Sequence, residues 1–378
     1  MIQLEQMISS LNTWLAAHDY RYVECNHVPD CLQTKNRKIN TLWRTFFRLC
    51  PVNLRGKHGK LYPLTPQCNV AMLKAYAIYN NREVIKKLYN RVLSLRSPKT
   101  QHFALKQGIR ISVNLYENSV DDPTPLNTVW FGQFLLDEHS GVIPEEKKRE
   151  LLCSIADYII EELGYIDHGT EGVYFFYGPT LKKEVYNASA IMSAFLIKVG
   201  KKYQVASYES LGERGIRYIC NRQNSEGSWF YAGPPSRPTI DCFHQSYILQ
   251  ALCSVKSLLP FDVSSYIEKG VAFYRTMFVR DGKYVRPIRY DKRYTPKNTW
   301  LFVKVDGRDI SDALIFFSKY VRDPKLVQEL LHYAYDKFYD KKRGCFIPEI
   351  FIYGRNHIPY IEFQAWFLYS LLIVKQYI

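Results

Sequence analysis

The chain has 378 residues, of which 47% are hydrophobic and 23% are charged, and it carries a net charge of +15. This composition is typical of a globular protein with a large core. Apolar runs stay shorter than the roughly 18 residues of a membrane span, and the N-terminus does not resemble a signal peptide, so we expect a cytoplasmic protein.

The positive charge favours an anionic partner. The basic residues do not form an arm or a known nucleic-acid motif, so we expect a glycan rather than nucleic acid, with a merely solvated basic surface as the alternative. The nine cysteines are scattered, which predicts free thiols. Cys25, His27 and Cys31 lie close together, but a second pair of ligands is missing. We therefore predict no metal site and no cofactor.

Apolar and amphipathic helical patterns alternate along the chain. Residues 1–60 form a leading segment with amphipathic patterns at 4–15 and 42–49. Five pairs of an apolar helix and a charged helix then follow, at 65–79 with 82–95, 125–138 with 144–162, 186–199 with 204–223, 241–258 with 262–278, and 309–320 with 324–338. A last apolar helix covers 361–377, and we expect residues 1–60 to supply its outer partner and close the ring.

Helices that are apolar on every side are buried, so the first member of each pair should belong to an inner layer and the charged member to an outer layer. The 50–70-residue spacing of the inner helices indicates a closed helical array. We therefore predict an all-α fold, an (α/α)6 toroid formed as a single domain by residues 1–378. Short Gly-bounded aromatic segments (GVYFFYG, GSWFYAG, GKYVRPIRY and GCFIPEIFIYG) predict β-hairpins at one end of the ring.

Several motifs carry a family resemblance. Gln223–Trp229 fits the Q-x-x-x-G-x-W pattern of terpene cyclases and protein prenyltransferases. Together with Asn187-Ala188-Ser189, Asp241–Tyr247 and Gln364–Tyr369, it resembles more closely the toroid proteins encoded with surface-polysaccharide biosynthesis enzymes. Cys242 departs from that pattern, where Asn is expected. The resemblance implies a toroid related in fold to six-hairpin glycosidases, uronyl C5-epimerases and polysaccharide lyases, but one fold hosts many chemistries.

Polar residues recur where the inner helices begin, so they should face one mouth of the ring, where free N–H groups favour anionic or hydroxyl-rich ligands. N-capping is the alternative for Asn187, Asp241 and Asp309. His244 lies one helical turn after Asp241 and would be a general acid or base, with a buried core histidine as the alternative. The predicted catalytic residues are His244, Asp241, Tyr231 and Tyr177. The predicted substrate-binding residues are Asn187, Glu226, Trp229, Arg286, Arg289, Tyr290, Asp309, Glu362 and Gln364.

Three functions stay open. Abundant tyrosine, His244 and a basic rim favour proton abstraction by a lyase or C5-epimerase on an acidic glycan in cell-surface polysaccharide biosynthesis. Carboxylates among Asp241, Asp309, Asp312 and Glu362 would instead suit a glycoside hydrolase. The third is a non-catalytic glycan-binding or assembly component, peripherally associated with a membrane-bound polysaccharide synthesis complex. Isoprenoid chemistry is disfavoured, because no Asp-rich motif lies on an apolar helix.

Overall fold

The computed structural model describes residues 2–22, 32–50, 65–113, 116–179, 181–294 and 302–378. Its inner helices are α3 (Pro66–Tyr79), α5 (Pro125–Asp137), α7 (Tyr186–Tyr203), α9 (Cys242–Val255), α11 (Gly307–Phe316) and α13 (Ile361–Tyr377). Each inner helix packs against the next, and α13 packs against α3, so the ring is closed. The predicted (α/α)6 toroid is therefore confirmed. Across these described ranges, no helix combines the length and apolar character needed to cross a membrane.

Amphipathic helices surround this ring. They are α1 (Ile2–Ala17), α4 (Arg82–Leu93), α6 (Glu145–Asp157), α8 (Ala206–Asn221), α10 (Ser264–Thr276) and α12 (Pro324–Lys337). Helix α1 packs against α13 and α12, the position of a sixth outer helix. The short helix α2 (Arg37–Leu49) packs on strand β1 (Ile111–Val113). Assignment of the whole chain to one domain stays a prediction.

The helix ends follow from local sequence. Prolines at the first helical turn start α3, α5 and α12, where a missing N–H costs no hydrogen bond. Asp241 caps α9, as the capping alternative expected. For two other residues that alternative is wrong. Asp306 rather than Asp309 caps α11, and Asn187 lies inside α7, because both helices begin before these residues.

Small hairpins occupy several of the connections from an outer helix to the next inner helix, and so lie at the end where the inner helices begin. They include β3 (Tyr165–Asp167) with β4 (Val173–Phe175), β5 (Phe278–Asp281) with β6 (Tyr284–Pro287), and β8 (Tyr339–Asp340) with β9 (Cys345–Phe346). Strands β7 (Val303–Asp306), β10 (Glu349–Phe351) and β11 (Gly354–Arg355) form a three-stranded sheet. The hairpin predicted at 227–233 is wrong: that segment holds only an isolated bridge between Ala232 and Val185.

A recurring contact fixes these connections to the ring. The fourth residue of an inner helix accepts a hydrogen bond from a buried backbone N–H in the preceding connection. The pairs are Thr128 with Leu105, Ser189 with Phe175, Gln245 with Trp229 and Gln364 with Phe346. The two glutamines also donate to the carbonyl of the same residue, at 2.7 and 2.8 Å. Backbone groups that would otherwise be buried without partners are satisfied in this way, which holds the connections in place beside the ring mouth.

Candidate functional site

The centre of the candidate site is a pair formed by Asp241 and His244 at the start of α9. Asp241 Oδ1 accepts the backbone N–H of His244 at 3.2 Å, and Asp241 Oδ2 lies 2.6 Å from His244 Nδ1. Within the described ranges, His244 Nε2 has no hydrogen-bond partner. The ring of Tyr231 lies 4.6 Å from the imidazole and that of Phe243 lies 4.0 Å from it. The imidazole is thus oriented by a carboxylate and flanked by aromatic rings.

Arg289 connects this pair to α11. The segment after β6 pairs with the residues that precede α9, through a bridge between Tyr290 and Asp241. This places the buried Arg289 guanidinium 2.8 Å from Asp309 Oδ1 and 3.9 Å from Asp241 Oδ1. It also lies 4.4 Å from the Phe243 ring. The arginine therefore occupies the space between two carboxylates.

The cluster holds more carboxylates than guanidinium groups. Arg308 pairs with Asp306 through two contacts, at 2.9 and 3.2 Å, so that two arginines face Asp241, Asp306 and Asp309. Burial would raise the pKa of Asp241, but His244 and Arg289 outweigh it and hold that pKa below its usual range. Burial raises the pKa of Asp309 well above its usual value; Arg289 opposes this rise, and Asp306 and Asp241 add to it. The pKa values of these two carboxyls are therefore shifted in opposite directions, that of Asp309 upward and that of Asp241 downward.

Deeper in the ring, Asp312 and Tyr247 line the same cavity. Burial raises the pKa of Asp312 to about 8, although Arg308, Tyr247 and Lys74 oppose that rise. The ring of Tyr247 lies 5.9 Å from that of His244. Tyr247 lies one helical turn after His244 on α9 and so stands between the imidazole and Asp312 of α11, whose raised pKa suits a general acid.

The other predicted catalytic and binding residues lie in varied positions. Tyr231 contacts His244, and Tyr290 lies 5.2 Å from Arg289. Tyr177 is partly buried in the loop after β4. Asn187 is buried, and its side-chain oxygen accepts no hydrogen bond from the described residues. Glu362 is buried at the second position of α13. The roles proposed for these residues stay predictions.

Other predicted binding residues have structural partners. Trp229 is fully buried and donates its indole N–H to the Ile219 carbonyl, so its predicted substrate-binding role is wrong and the side chain packs in the core. Gln364 is also buried, and its side-chain amide forms hydrogen bonds with the backbone N–H and carbonyl of Phe346. Arg286 pairs with Asp281 of its own hairpin, and Glu226 pairs with Arg293. The idea of a free arginine-rich rim is thus weakened, because these charges are already neutralised within the protein.

Sequence reasoning missed Arg308, Asp306 and Tyr247 as members of the cluster. A three-residue spacing relates Asp306, Asp309 and Asp312, so the three lie along one side of the start of a helix. This spacing could have identified Asp306 as a member of the cluster. Within the described ranges, no three His, Cys, Asp or Glu side chains form a group that could hold a metal ion. Cys25, His27 and Cys31 lie outside the described residues.

Comparison with known proteins gives a fold but no family. No protein-family model matches the chain, and no curated protein matches it. Solved structures do match. A D-mannose isomerase superposes with a TM-score of 0.62 at 12% identity, over 99% of this chain and 97% of its own.

Two further structures match in a similar way. A family 76 glycoside hydrolase (mannosidase) from Bacteroides thetaiotaomicron has a TM-score of 0.59 at 9% identity, over 98% of this chain and 99% of its own. A cellobiose 2-epimerase from Spirochaeta thermophila has a TM-score of 0.59 at 10% identity, over 85% and 91% of the two chains. At such identities the similarity shows a shared toroid fold, while the chemistry depends on the site residues.

Proposed function

We propose that the protein is a carbohydrate-active enzyme in which His244 removes a proton from a sugar carbon. The observation that carries this proposal is the 2.6 Å contact between Asp241 Oδ2 and His244 Nδ1. A carboxylate at this position keeps the proton on Nδ1 and leaves the lone pair on Nε2, the form in which a neutral imidazole acts as a general base. Asp241 is suited to that task because its lowered pKa keeps it ionised.

The substrate that fits best is an acidic glycan. A proton beside a sugar carboxylate is removed more easily when positive groups stabilise the charge that develops on that carboxylate. Arg289 and Arg308 are the positive groups near this position, at 4.4 and 4.9 Å from the ring of Phe243, the residue next to His244. Each is paired with an aspartate of the cluster, so a substrate carboxylate would share these partners. The net charge of +15 would also attract such a glycan. The proposal includes the role in cell-surface polysaccharide biosynthesis that the motif resemblance suggests.

In this scheme the C5–H bond of a uronate breaks, and its proton moves to His244 Nε2. An epimerase then returns a proton to the opposite face of C5, from a donor across the sugar from His244. Tyr231, whose ring contacts the imidazole at 4.6 Å, lies on the same side as the base and suits protonation of the departing oxygen in a lyase. A lyase instead forms a C4–C5 double bond as the C4–O bond breaks, and the departing oxygen takes up a proton. The presence of a sugar isomerase and a sugar epimerase among the similarly folded structures supports sugar chemistry in this ring.

Glycoside hydrolysis is the second candidate, and the raised pKa values of Asp309 and Asp312 favour it, since a protonated carboxyl can donate to a departing sugar oxygen. Glycoside hydrolases of family 76 share the fold. Asp241 and Asp309 do not suit this reaction as a pair, because Arg289 lies between them where a sugar or water is needed.

Deuterium exchange tests the proposal. Uronate-containing oligosaccharides are incubated with the protein in heavy water, and deuterium at C5 is followed by NMR together with unsaturated products. We expect exchange or elimination with the natural protein and a loss of about 100-fold or more in His244→Gln. His332→Gln, on the exposed face of α12, is the matched control and should keep full activity.

The other outcomes separate the alternatives. Cleavage without deuterium incorporation, retained in His244→Gln but lost in Asp312→Asn, would replace the proposal with hydrolysis. Saturable glycan binding without any turnover would favour the non-catalytic glycan-binding role.

A further inference from the structure

A cavity follows the axis of the ring and opens at the end opposite the His244 site. All six inner helices line it, and its narrow part has a volume of about 80 Å³. Beyond Lys74, Asp137 and Lys319, it widens into a depression of about 890 Å³ at the C-terminal ends of the inner helices. The narrow part has room for several water molecules, and so for one small polyatomic ion.

Three lysines converge on this cavity. Lys74 lies on α3, Lys198 on α7, and Lys319 in the π-helical turn 317–321 that continues α11. Among the described residues, none of the three has a carboxylate within ion-pairing distance. Lys74 Nζ contacts only the Gln133 side chain, at 3.4 Å, and the faces of Trp366 and Tyr369. Three cationic groups thus share a confined space without local neutralisation.

The electrostatic balance of the cavity is positive. Burial lowers the pKa of Lys74 to about 8; Asp137 opposes this shift, and the charges of Lys319 and Lys198 add to it. Asp137 is the carboxylate at the rim, and Asp312 at the floor retains its proton near neutral pH because its pKa is raised to about 8. The cavity thus holds three lysines against Asp137 and Asp312, so basic groups outnumber acidic ones.

A fourth donor belongs to the same cavity. Trp366 lines it, and its indole N–H is buried without a hydrogen-bond partner among the described residues. A buried donor without a protein acceptor is available to an acceptor that enters the cavity. Gln133 and Gln250 also line the cavity. Tetrahedral oxyanions accept hydrogen bonds from such donors and from ammonium groups.

Lysines near helix C-termini also interact favourably with the helix dipole, which explains why positively charged residues occur at this end of the ring. It does not explain why these three face the axis. In the last turn of α7, Lys201 and Lys202 lie on the outside and pair with Glu209 and Glu145. Lys198 of the same helix lies in the cavity without such a pair. Lys201 and Lys202 thus already provide positive charge at the C-terminal end of α7.

We propose that the axial cavity is a binding site for a phosphate group, reached from the C-terminal face of the ring and formed by Lys74, Lys198, Lys319 and the indole N–H of Trp366. The negative charge of a phosphate group complements the excess of basic groups. Tyr247 and Asp312 at the floor of the cavity adjoin the His244 cluster, but none of the four proposed phosphate-binding groups belongs to that cluster, so the proposal stands whether or not the sugar chemistry is correct. The bound group is either free phosphate or the phosphate of a small phosphorylated ligand such as a sugar phosphate.

Calorimetric titration of the full chain tests the site. Inorganic phosphate and glucose 6-phosphate are the probes, glucose is the neutral reference, and sodium chloride keeps ionic strength constant. We expect saturable phosphate binding that weakens about tenfold in Lys198→Met and in Lys319→Met. Lys201→Met, which removes an equal charge from the outside of α7, should bind as the natural protein does. Tighter binding of glucose 6-phosphate would identify a phosphorylated sugar as the ligand, and equal binding would identify free phosphate.

A second measurement needs no lysine variant. The indole N–H resonance of Trp366, assigned with Trp366→Phe, should shift on phosphate addition and stay in place on chloride addition. Absence of saturable binding by the natural protein, or equal weakening in Lys201→Met and Lys198→Met, would overturn the proposal. A bound phosphate that leaves the Trp366 resonance unmoved would also contradict this location.

Discussion

Both carboxylate oxygens of Asp241 contact His244: Oδ1 accepts the backbone N–H of His244 at 3.2 Å, and Oδ2 lies 2.6 Å from the ring nitrogen Nδ1 of His244. The first contact caps helix α9, and the second orients the imidazole. Capping and catalysis are therefore not competing roles for Asp241. They are separable, because an amide can cap a helix as well as a carboxylate but cannot supply a negative charge to the imidazole.

Replacement of Asp241 should separate these roles. We expect Asp241→Asn to keep most of the stability and to lose the fixed Nδ1–H tautomer of His244. Asp241→Ala should lose that tautomer and also about 1 kcal/mol of cap stability. Urea unfolding measures the first quantity, and nitrogen NMR of the imidazole measures the second without any substrate. If the Nδ1–H tautomer persists in Asp241→Ala, the orienting role of the carboxylate is wrong.

Stability should depend on pH through Asp312. Its pKa rises to about 8 in the folded protein, whereas an unfolded aspartate titrates near 4. Between these values the folded state holds a proton that the unfolded state has released, so stability falls as pH rises. The fall amounts to roughly 1.4 kcal/mol per pH unit. Asp312→Asn should remove this contribution, and urea unfolding between pH 5 and 8 would show a shallower decline.

Asp309 also adds to the decline in the natural protein, so only the difference between natural and variant chains reports on Asp312. Asp121→Asn is the control, because its carboxylate is 47% exposed and loses little hydration on folding. Its pH profile should parallel that of the natural chain. A parallel profile for Asp312→Asn as well would show that Asp312 is ionised in the folded protein.

Patterns within a segment predicted the fold well. Helix α13 is apolar on every side, and its predicted bounds of 361–377 agree with the structure. The contacts that decide the site are different, because they join distant segments. Arg289 pairs with Asp309 of another repeat, and no periodicity within either segment indicates this contact. The backbone N–H of Trp229 likewise donates to Gln245, sixteen residues later in the chain.

The cavity lysines show the same limit. Each predicted inner segment that supplies a cavity lysine contains one lysine among apolar residues: Lys74, Lys198 or Lys319. Taken singly, each pattern predicts only a charged residue near the end of a buried helix. Only closure of the ring brings the three together. An isolated lysine in an apolar helix of several successive repeats is the signal that could have indicated a charged axial cavity.

The glutamine contacts predict a measurable stability effect. Gln364 accepts from the backbone N–H of Phe346 at 2.7 Å and donates to its carbonyl at 2.8 Å. Gln364→Met keeps the volume but leaves both groups buried without partners, so we expect a loss of about 2–4 kcal/mol in the free energy of unfolding. Gln376→Met, at the exposed end of the same helix, should change it little. A loss below about 1 kcal/mol for Gln364→Met would show that water replaces the side chain.

The approach of α8 to α7 requires glycine at position 212. A Cβ added to Gly212 would lie 2.7 Å from the Ser193 carbonyl oxygen and 3.0 Å from the Ile197 backbone nitrogen. Both are backbone atoms of a buried helix and cannot move aside alone. Although alanine favours a helix by about 1 kcal/mol over glycine, we expect Gly212→Ala to lower the free energy of unfolding by about 1–3 kcal/mol. Ser210→Ala, exposed on the same helix, is the control and should leave stability unchanged or slightly higher. If urea unfolding finds Gly212→Ala as stable as Ser210→Ala, the two helices can separate without cost and their close packing does not determine the position of α8.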